Sequence, residues 1–367
     1  MRIGILGFPQ SGKTTLFNAL TSSNHPIGGQ HATGTGNVQV KSATISVPDR
    51  RVDWLCALYQ PQKKTYAQIT YADISGVQGG MTRFPGDLLK TMSQMDGLCH
   101  VVRAFESQIV PHPMITVDPL RDIAALDDEL LLNDLMAVER KLERLHEEWK
   151  KGGGRDRFTI EREQQLFGRL LQTLEEARPV RDMDFTPDEN HILSGYGFLT
   201  RKPIIIVINT QHDDEPRNDI RDDNYGRHTS DRVIRVQAQL EMEISQLDTD
   251  DAELFLQEYG LEKACRHRMT KLCFEALGMH SFFTVIRDEV RAWIADVGAT
   301  ALESAGLIHS DMQTGFIRAE VAAYNDLHKH GSEAAVKTAG KWRLEGRDYV
   351  VQDGDIVNIR FSPPARK

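Results

Sequence analysis

A chain of 367 residues is long for a single hydrophobic core, so two or three domains are expected. Its composition is that of a globular protein, 40% hydrophobic and 26% charged, and a net charge of −9 excludes a broad basic coat for nucleic acid. No apolar run approaches the ~20 residues needed to cross a bilayer, which excludes a helical membrane span.

No basic and apolar leader precedes the first strand, so a cytoplasmic location is expected, with no membrane contact. Cys56, Cys99, Cys265 and Cys273 are widely spaced and match no metal-ligand pattern. They read as buried thiols of a reducing compartment.

The first element is the short apolar run Ile3, Gly4, Ile5, Leu6, followed at once by "GFPQSGKTTLF" over 7–17. The spacing G-x-x-x-x-G-K-T is that of a phosphate-binding loop. Its glycines let the backbone wrap tightly enough for successive N–H groups to face phosphate oxygens. The candidate set is Gly7, Pro9, Gln10, Ser11, Gly12, Lys13, Thr14 and Thr15. Lys13 would reach the β- and γ-phosphates, and Thr14 would offer its hydroxyl to Mg²⁺. A helix starting near Lys13, with Leu16, Phe17 and Leu20 on one side, aims its N-terminal dipole at the same anion.

A polar, glycine-rich stretch, "NHPIGGQHATGTGNVQV", then stands where a nucleotide-sensing loop belongs. "ATISVPD" and "YAQITYADISG" read as strands, and the second supplies D-x-x-G. Asp73 there would hold Mg²⁺ through a bound water, and the Gly76 amide would sense the γ-phosphate. Switch-type NTPases place a water-orienting glutamine directly after this glycine. Here that residue is Val77, which has no hydrogen bond to offer, and slow hydrolysis follows. "DLLKTMSQM" is helical and "GLCHVVRAF" (97–105) is a buried strand. Strands alternating with helices imply an α/β fold with a parallel, doubly wound sheet, whose ligands sit at the strands' carboxyl ends.

From about Arg121 the pattern changes. Leu135, Val138, Leu142, Leu145 and Trp149 recur in steps of three and four, the seam of a coiled coil. "KKGGGRDR" breaks it, and Leu166, Leu170 and Leu174 form the returning arm of a helical hairpin. Sheet-like sequence returns with "KPIIIVINT" (202–210) and "RVIRVQA" (232–238), so the hairpin is inserted within one nucleotide domain. Asn209, ending the apolar run, is either a base-contacting residue or a plain strand-end cap. His212 stands where an acid would accept hydrogen bonds from a guanine edge, so guanine preference is unsupported. Beyond Met279, short strands, tight turns and one helix suggest a small mixed β domain.

These stretches together resemble the YchF-type branch of the Obg-related, TRAFAC-class P-loop GTPases and ATPases over nearly the whole chain. The matching segments include "GKTTLFNALTSSN", "HVVRAFE", "VDPLRDI", "FFTVIRDEVRAW", "GLIHSDMQTGFIRAEVAAYNDL" and "GKWRLEGRDYVVQDGDIVNIRF". The resemblance implies a nucleotide domain over 1–120 and 196–277, a coiled-coil arm over 121–195, and a ubiquitin-like β-grasp (TGS) domain over 278–365. It also implies binding of ATP or GTP with Mg²⁺, association with the ribosome or RNA without readout of DNA sequence, and a hydrophobic residue in the glutamine place.

Thr33 is the best match for the family's metal-sensing threonine, with Thr35 a close rival. Gln237, Ala238 and Gln239 replace its Ser-Ala-Lys near the base. The expectation is a slow, Mg²⁺-dependent purine NTPase switch of a divergent kind. Lys13 and Gly76 carry its catalysis, because stabilising a transferring phosphoryl group is chiefly electrostatic. The alternative is a nucleotide-binding interaction protein with little or no hydrolysis. A small-molecule phosphotransferase would share the loop, but neither the arm nor the tail offers an acceptor pocket.

Overall fold

The computed structural model describes residues 1–26, 40–75, 77, 84–107, 110, 112–152, 155–211, 227–229, 232–261, 263–286 and 288–362. In chain order the first section forms β1 (Arg2–Leu6), α1 (Lys13–Thr21), β2 (Val40–Val47), α2 (Arg50–Tyr59), β3 (Lys63–Thr65), β4 (Ala67–Ile74), α3 (Gly86–Ser93) and β5 (Gly97–Arg103). A helical section follows, with α4 (Pro119–Lys151), α5 (Arg157–Glu175) and α6 (Pro187–Ser194). The chain continues through β6 (Ile204–Asn209), β7 (Val233–Val236), α7 (Ala238–Ile244), α8 (Thr249–Glu258) and α9 (Cys265–Ala276). The last section holds β8 (Met279–Ile286), β9 (Glu289–Asp296), α10 (Ala301–Ile308), α11 (Ser310–Thr314), β10 (Phe316–Ala323), α12 (Tyr324–His330), α13 (Glu333–Thr338), β11 (Arg343–Glu345) and β12 (Asp355–Phe361).

The chain divides into two compact units. The larger comprises Arg2–Ala43 and Thr70–Leu272. Its sheet runs β2-β4-β1-β5-β6-β7, and the pairings of β1 with β4 and β5, β5 with β6, and β6 with β7 are all parallel. β6 is buried along its whole length, as a central parallel strand with both faces covered must be. Leu6, Ile74, Leu98 and Ile206 of the sheet pack with Leu88 and Met92 of α3 and with Ile123, Leu126 and Leu130 of α4.

α4 begins under strong local control. Asp118 caps it by accepting from the Arg121 amide at 3.0 Å, and Pro119 fills the first turn, where a missing N–H costs nothing. It ends on Gly152 at φ 65°, the left-handed position that favours glycine. Beyond its sheet-bound half the expected seam is realised: Val138 and Leu145 are buried against Leu166, Phe167, Leu170 and Leu174 of α5, with Leu135, Leu142 and Trp149 half-buried beside them. Asp134 fastens α4 to the approach to β6. Its carboxylate accepts from the Leu199 amide (3.0 Å), the Thr200 amide (2.7 Å) and the Thr200 hydroxyl (2.6 Å).

The smaller unit comprises Thr44–Ile69 and Cys273–Lys367. Its mixed sheet runs β11-β10-β12-β8-β9-β3, with an antiparallel β8–β9 hairpin and parallel β12–β8 and β3–β9 pairs. The sequence reading assigned 44–69 to the nucleotide domain; the structure instead groups it with the C-terminal section. The reason is non-local pairing: β3 aligns Lys63 with Glu289, and Val52 and Leu55 of α2 fill a core shared with Phe283, Val290 and Leu327. Four helices, α10 to α13, stand where one was expected, each short and locally capped or turn-bounded.

Candidate nucleotide site

The carboxyl edge of the parallel sheet gathers most of the candidate residues. β1 runs straight into Gly7, and its neighbour β4 places Asp73 opposite Ile5. On the other side Arg103 of β5 stands opposite Asn209, which in turn stands opposite Val236, just before Gln237.

The loop is held open by left-handed backbone. Gly7, Gln10 and Gly12 have φ values of 149°, 64° and 94°. A Cβ on Gly7 would lie 2.4 Å from the Val101 carbonyl, and one on Gly12 would lie 2.2 Å from Asn209 Nδ2, so neither place accepts a side chain. The Ser11 amide donates to the Phe8 carbonyl at 3.3 Å, closing the turn. Ser11 Oγ is buried with no hydrogen-bond partner among the described residues. An orphaned hydroxyl in a loop between Gly7 and Gly12 is suited to an incoming polar ligand. Pro9 is half-buried, Gln10 is exposed, and Thr15 is turned inward and buried.

Lys13 opens α1 and is 9% exposed. Its ammonium donates to the Phe8 carbonyl at 2.9 Å. Burial lowers its pKa to about 8, with the Asp73 carboxylate opposing the shift. Beside it the Thr14 hydroxyl donates to Asp73 Oδ2 at 2.7 Å, so two oxygen donors separated by 59 positions in sequence meet at one point. Such a hard-oxygen pair suits Mg²⁺. Thr33, Thr35, Gly76 and His212 lie outside the described residues.

Asn209 acts as a brace. Its Nδ2 donates to the Ser11 carbonyl at 3.0 Å and its Oδ1 accepts from the Ala238 amide at 3.1 Å, so one buried amide ties the loop to the start of α7. Ala238 is buried, Gln239 is exposed and bonded to Glu243, and Gln237 keeps a buried Oε1 with no partner among the described residues.

Two further groups escaped the sequence reading. Arg103 is 2% exposed; its guanidinium donates to the Phe105 carbonyl (3.0 Å) and the Val110 carbonyl (2.7 Å) and lies 4.7 Å from the Phe105 ring. His100 packs edge-on against Phe8 at 6.3 Å, with both ring nitrogens buried and unbonded among the described residues. Burial lowers its pKa to about 3 and keeps it neutral. A histidine and an arginine inside the otherwise apolar run "GLCHVVRAF" were the available signal, since neither is buried without a specific reason.

A parallel sheet with a glycine-walled anion loop, a buried lysine and a threonine–aspartate pair at its carboxyl edge defines a P-loop NTPase-type domain. Residues 2–133 match the family MMR_HSR1, described as a 50S ribosome-binding GTPase, and 279–362 match YchF-GTPase_C, described as a protein of unknown function (DUF933). The chain is 36% identical to the ribosome-binding ATPase YchF of Pasteurella multocida (strain Pm70), over 98% of this chain and 99% of that one. It is 33% identical to the Obg-like ATPase 1 of Oryza sativa subsp. japonica, over 99% and 92% respectively. The solved Schizosaccharomyces pombe YchF GTPase superposes with a TM-score of 0.79 at 29% identity, covering 98% of this chain and 97% of that one. The chain belongs to the YchF family.

Proposed function

We propose that the chain binds a purine nucleoside triphosphate, ATP or GTP, together with Mg²⁺, hydrolyses it slowly, and serves as a cytoplasmic switch that associates with the ribosome. One observation carries this: the Thr14 hydroxyl sits 2.7 Å from the Asp73 carboxylate, next to a buried Lys13. Backbone N–H groups of the loop and the Lys13 ammonium hold the phosphates. Thr14 and Asp73 hold the metal, with Thr33 as the proposed third member. When bound, Mg²⁺ supplies neutralisation of charge on the phosphate oxygens. Lys13 stabilises the transferring group, Gly76 reports the γ-phosphate, and Asn209 with Gln237, Ala238 and Gln239 borders the base. Ribosome association is supported by the names of the relatives and by the family matched over 2–133. The arm over 121–195 and a TGS-type domain over 278–365 are the partner-facing parts in this scheme, each supported by a hydrophobic core of its own.

Titration with fluorescent ATP and GTP, with and without Mg²⁺, tests it. Binding should require Mg²⁺, and Asp73→Asn should weaken it about tenfold, or about 1.4 kcal/mol. Metal-independent binding that Asp73→Asn leaves intact overturns the assignment.

A second reading, nucleotide binding with little turnover, is favoured by Val77. It is 2% exposed and packed in the core with Phe84 and Leu88, where an apolar side chain cannot orient water. Phosphate release measured with and without ribosomes separates the two. Turnover at background in both conditions leaves the binding role.

A further inference from the structure

α8 is a helix without a buried residue, yet it carries large apolar side chains. Leu254 is 63% exposed and Phe255 40%, with Tyr259 one turn further on at 37% and Leu247 ahead of the helix at 38%. The inner face is made by Ala252 and Leu256, which are only half-buried. The Phe255 and Tyr259 rings stack at 6.3 Å between centroids with 16° between their planes, forming one continuous aromatic surface. Scattered exposed apolar residues are ordinary, but Leu254 and Phe255 on α8, continued by Tyr259 at its C-terminal end, form a patch.

The segment that carries that patch has charge of one sign. Residues 243–261 hold six acids, Glu243, Asp248, Asp250, Asp251, Glu253 and Glu258, and no lysine, arginine or histidine. The whole 367-residue chain has a net charge of only −9, so this segment is far more acidic per residue than the chain as a whole. None of the six forms an ion pair among the described residues. An apolar face bordered by unneutralised carboxylates repels RNA phosphates and the anionic headgroups of a membrane. It attracts a cation whose flanking side chains are apolar, and it does so faster at low salt.

We propose that Leu254 and Phe255 of α8 and Tyr259 at its C-terminal end, bordered by Asp250, Asp251 and Glu253, form a docking face for a cationic amphipathic segment of a partner protein. The apolar side chains supply the buried centre of the contact and the carboxylates set its orientation and rim. This face is independent of the nucleotide reading, because none of its residues belongs to the phosphate loop, the metal pair or the brace.

The test uses the full chain and a fluorescein-labelled helical peptide of leucines and lysines at amphipathic spacing, followed by anisotropy. A glutamate analogue of the peptide and a single-stranded RNA oligomer serve as competitors. The parent protein should bind the lysine peptide, ignore the other two, and lose affinity as salt is raised. Leu254→Ser with Phe255→Ser should weaken binding about tenfold or more, and Asp250→Lys with Asp251→Lys should remove most of the salt dependence. Circular dichroism and the exposed Gln257→Ala variant control for folding, and Leu254→Ser alone provides a milder probe of the same face. Equal peptide binding by all variants overturns the proposal. So does RNA binding that the serine pair abolishes, or self-association in sedimentation that the serine pair abolishes.

Discussion

The two ends of the candidate site are built by different means. At the phosphate end, residues 7–15 are contiguous, and their geometry comes from backbone: three left-handed residues, two of them glycines with no room for a Cβ. At the base end, Asn209 and Gln237 to Gln239 come from β6 and the start of α7, and what they do depends on side chains. One of these, Asn209, is engaged with backbone at both ends of its amide, while Gln237 retains a buried oxygen without a partner among the described residues. A grip made of backbone cannot drift without strain, whereas a surface made of side chains changes residue by residue while the fold stays intact. The contrast accords with a loop that keeps the G-x-x-x-x-G-K-T spacing and a proposed base end where Gln237, Ala238 and Gln239 stand in place of the Ser-Ala-Lys that the resemblance implies.

The sharpest way to break this contrast is to remove the one side chain on which the phosphate end depends. Lys13→Ala should reduce triphosphate affinity by about 100-fold, or about 2.7 kcal/mol, with an unchanged circular dichroism spectrum; normal affinity in a nucleotide titration would refute the role. Gly12→Ala comes next. Its φ of 94° and the 2.2 Å approach to Asn209 Nδ2 should cost about 2 kcal/mol of stability in urea unfolding and break the brace.

A pH series probes the same lysine more gently. With Lys13 lowered to about 8 in the free protein, bound phosphate must hold its proton on as pH rises. Affinity should be level below about pH 7 and fall as pH climbs through about 8, while the stability of the free protein gains over the interval up to the ordinary lysine range. The smallest effect belongs to the base end. Gln237→Ala should change ATP affinity by less than about threefold, under about 0.7 kcal/mol, yet alter the ratio of ATP to GTP affinity. An effect on both nucleotides as large as that of Lys13→Ala would erase the distinction between the two ends.

Local patterns were legible from sequence. The glycine spacing of the loop, the apolar run of β6 and the three-and-four recurrence of Leu135 to Trp149 each specify an element from neighbours alone, and each element is present. Contacts across long separations were not. Nothing near Lys63 indicates that β3 will pair with Glu289, and nothing near Asn209 indicates that its amide will meet Ser11, 198 positions away. Asp73 could be placed at a strand end by pattern, but its bond to Thr14 required the β1–β4 register. Arg103 and His100 were passed over because an apolar run draws attention to its apolar members, and burial of the two polar ones shows only once the sheet is assembled.

The clamp made by Asp134 has a mechanical consequence. It lies midway along a 33-residue helix whose first turns are embedded under the sheet by Ile123, Leu126 and Leu130. Some 25 Å of helix, with α5 packed along it, therefore lies beyond that anchor, and a tilt of about 5° there would swing Lys151 by about 2 Å. The helix runs about as far on one side of Asp134 as on the other, so a displacement at Lys151 would return at nearly full size in the first turns that pack on the sheet.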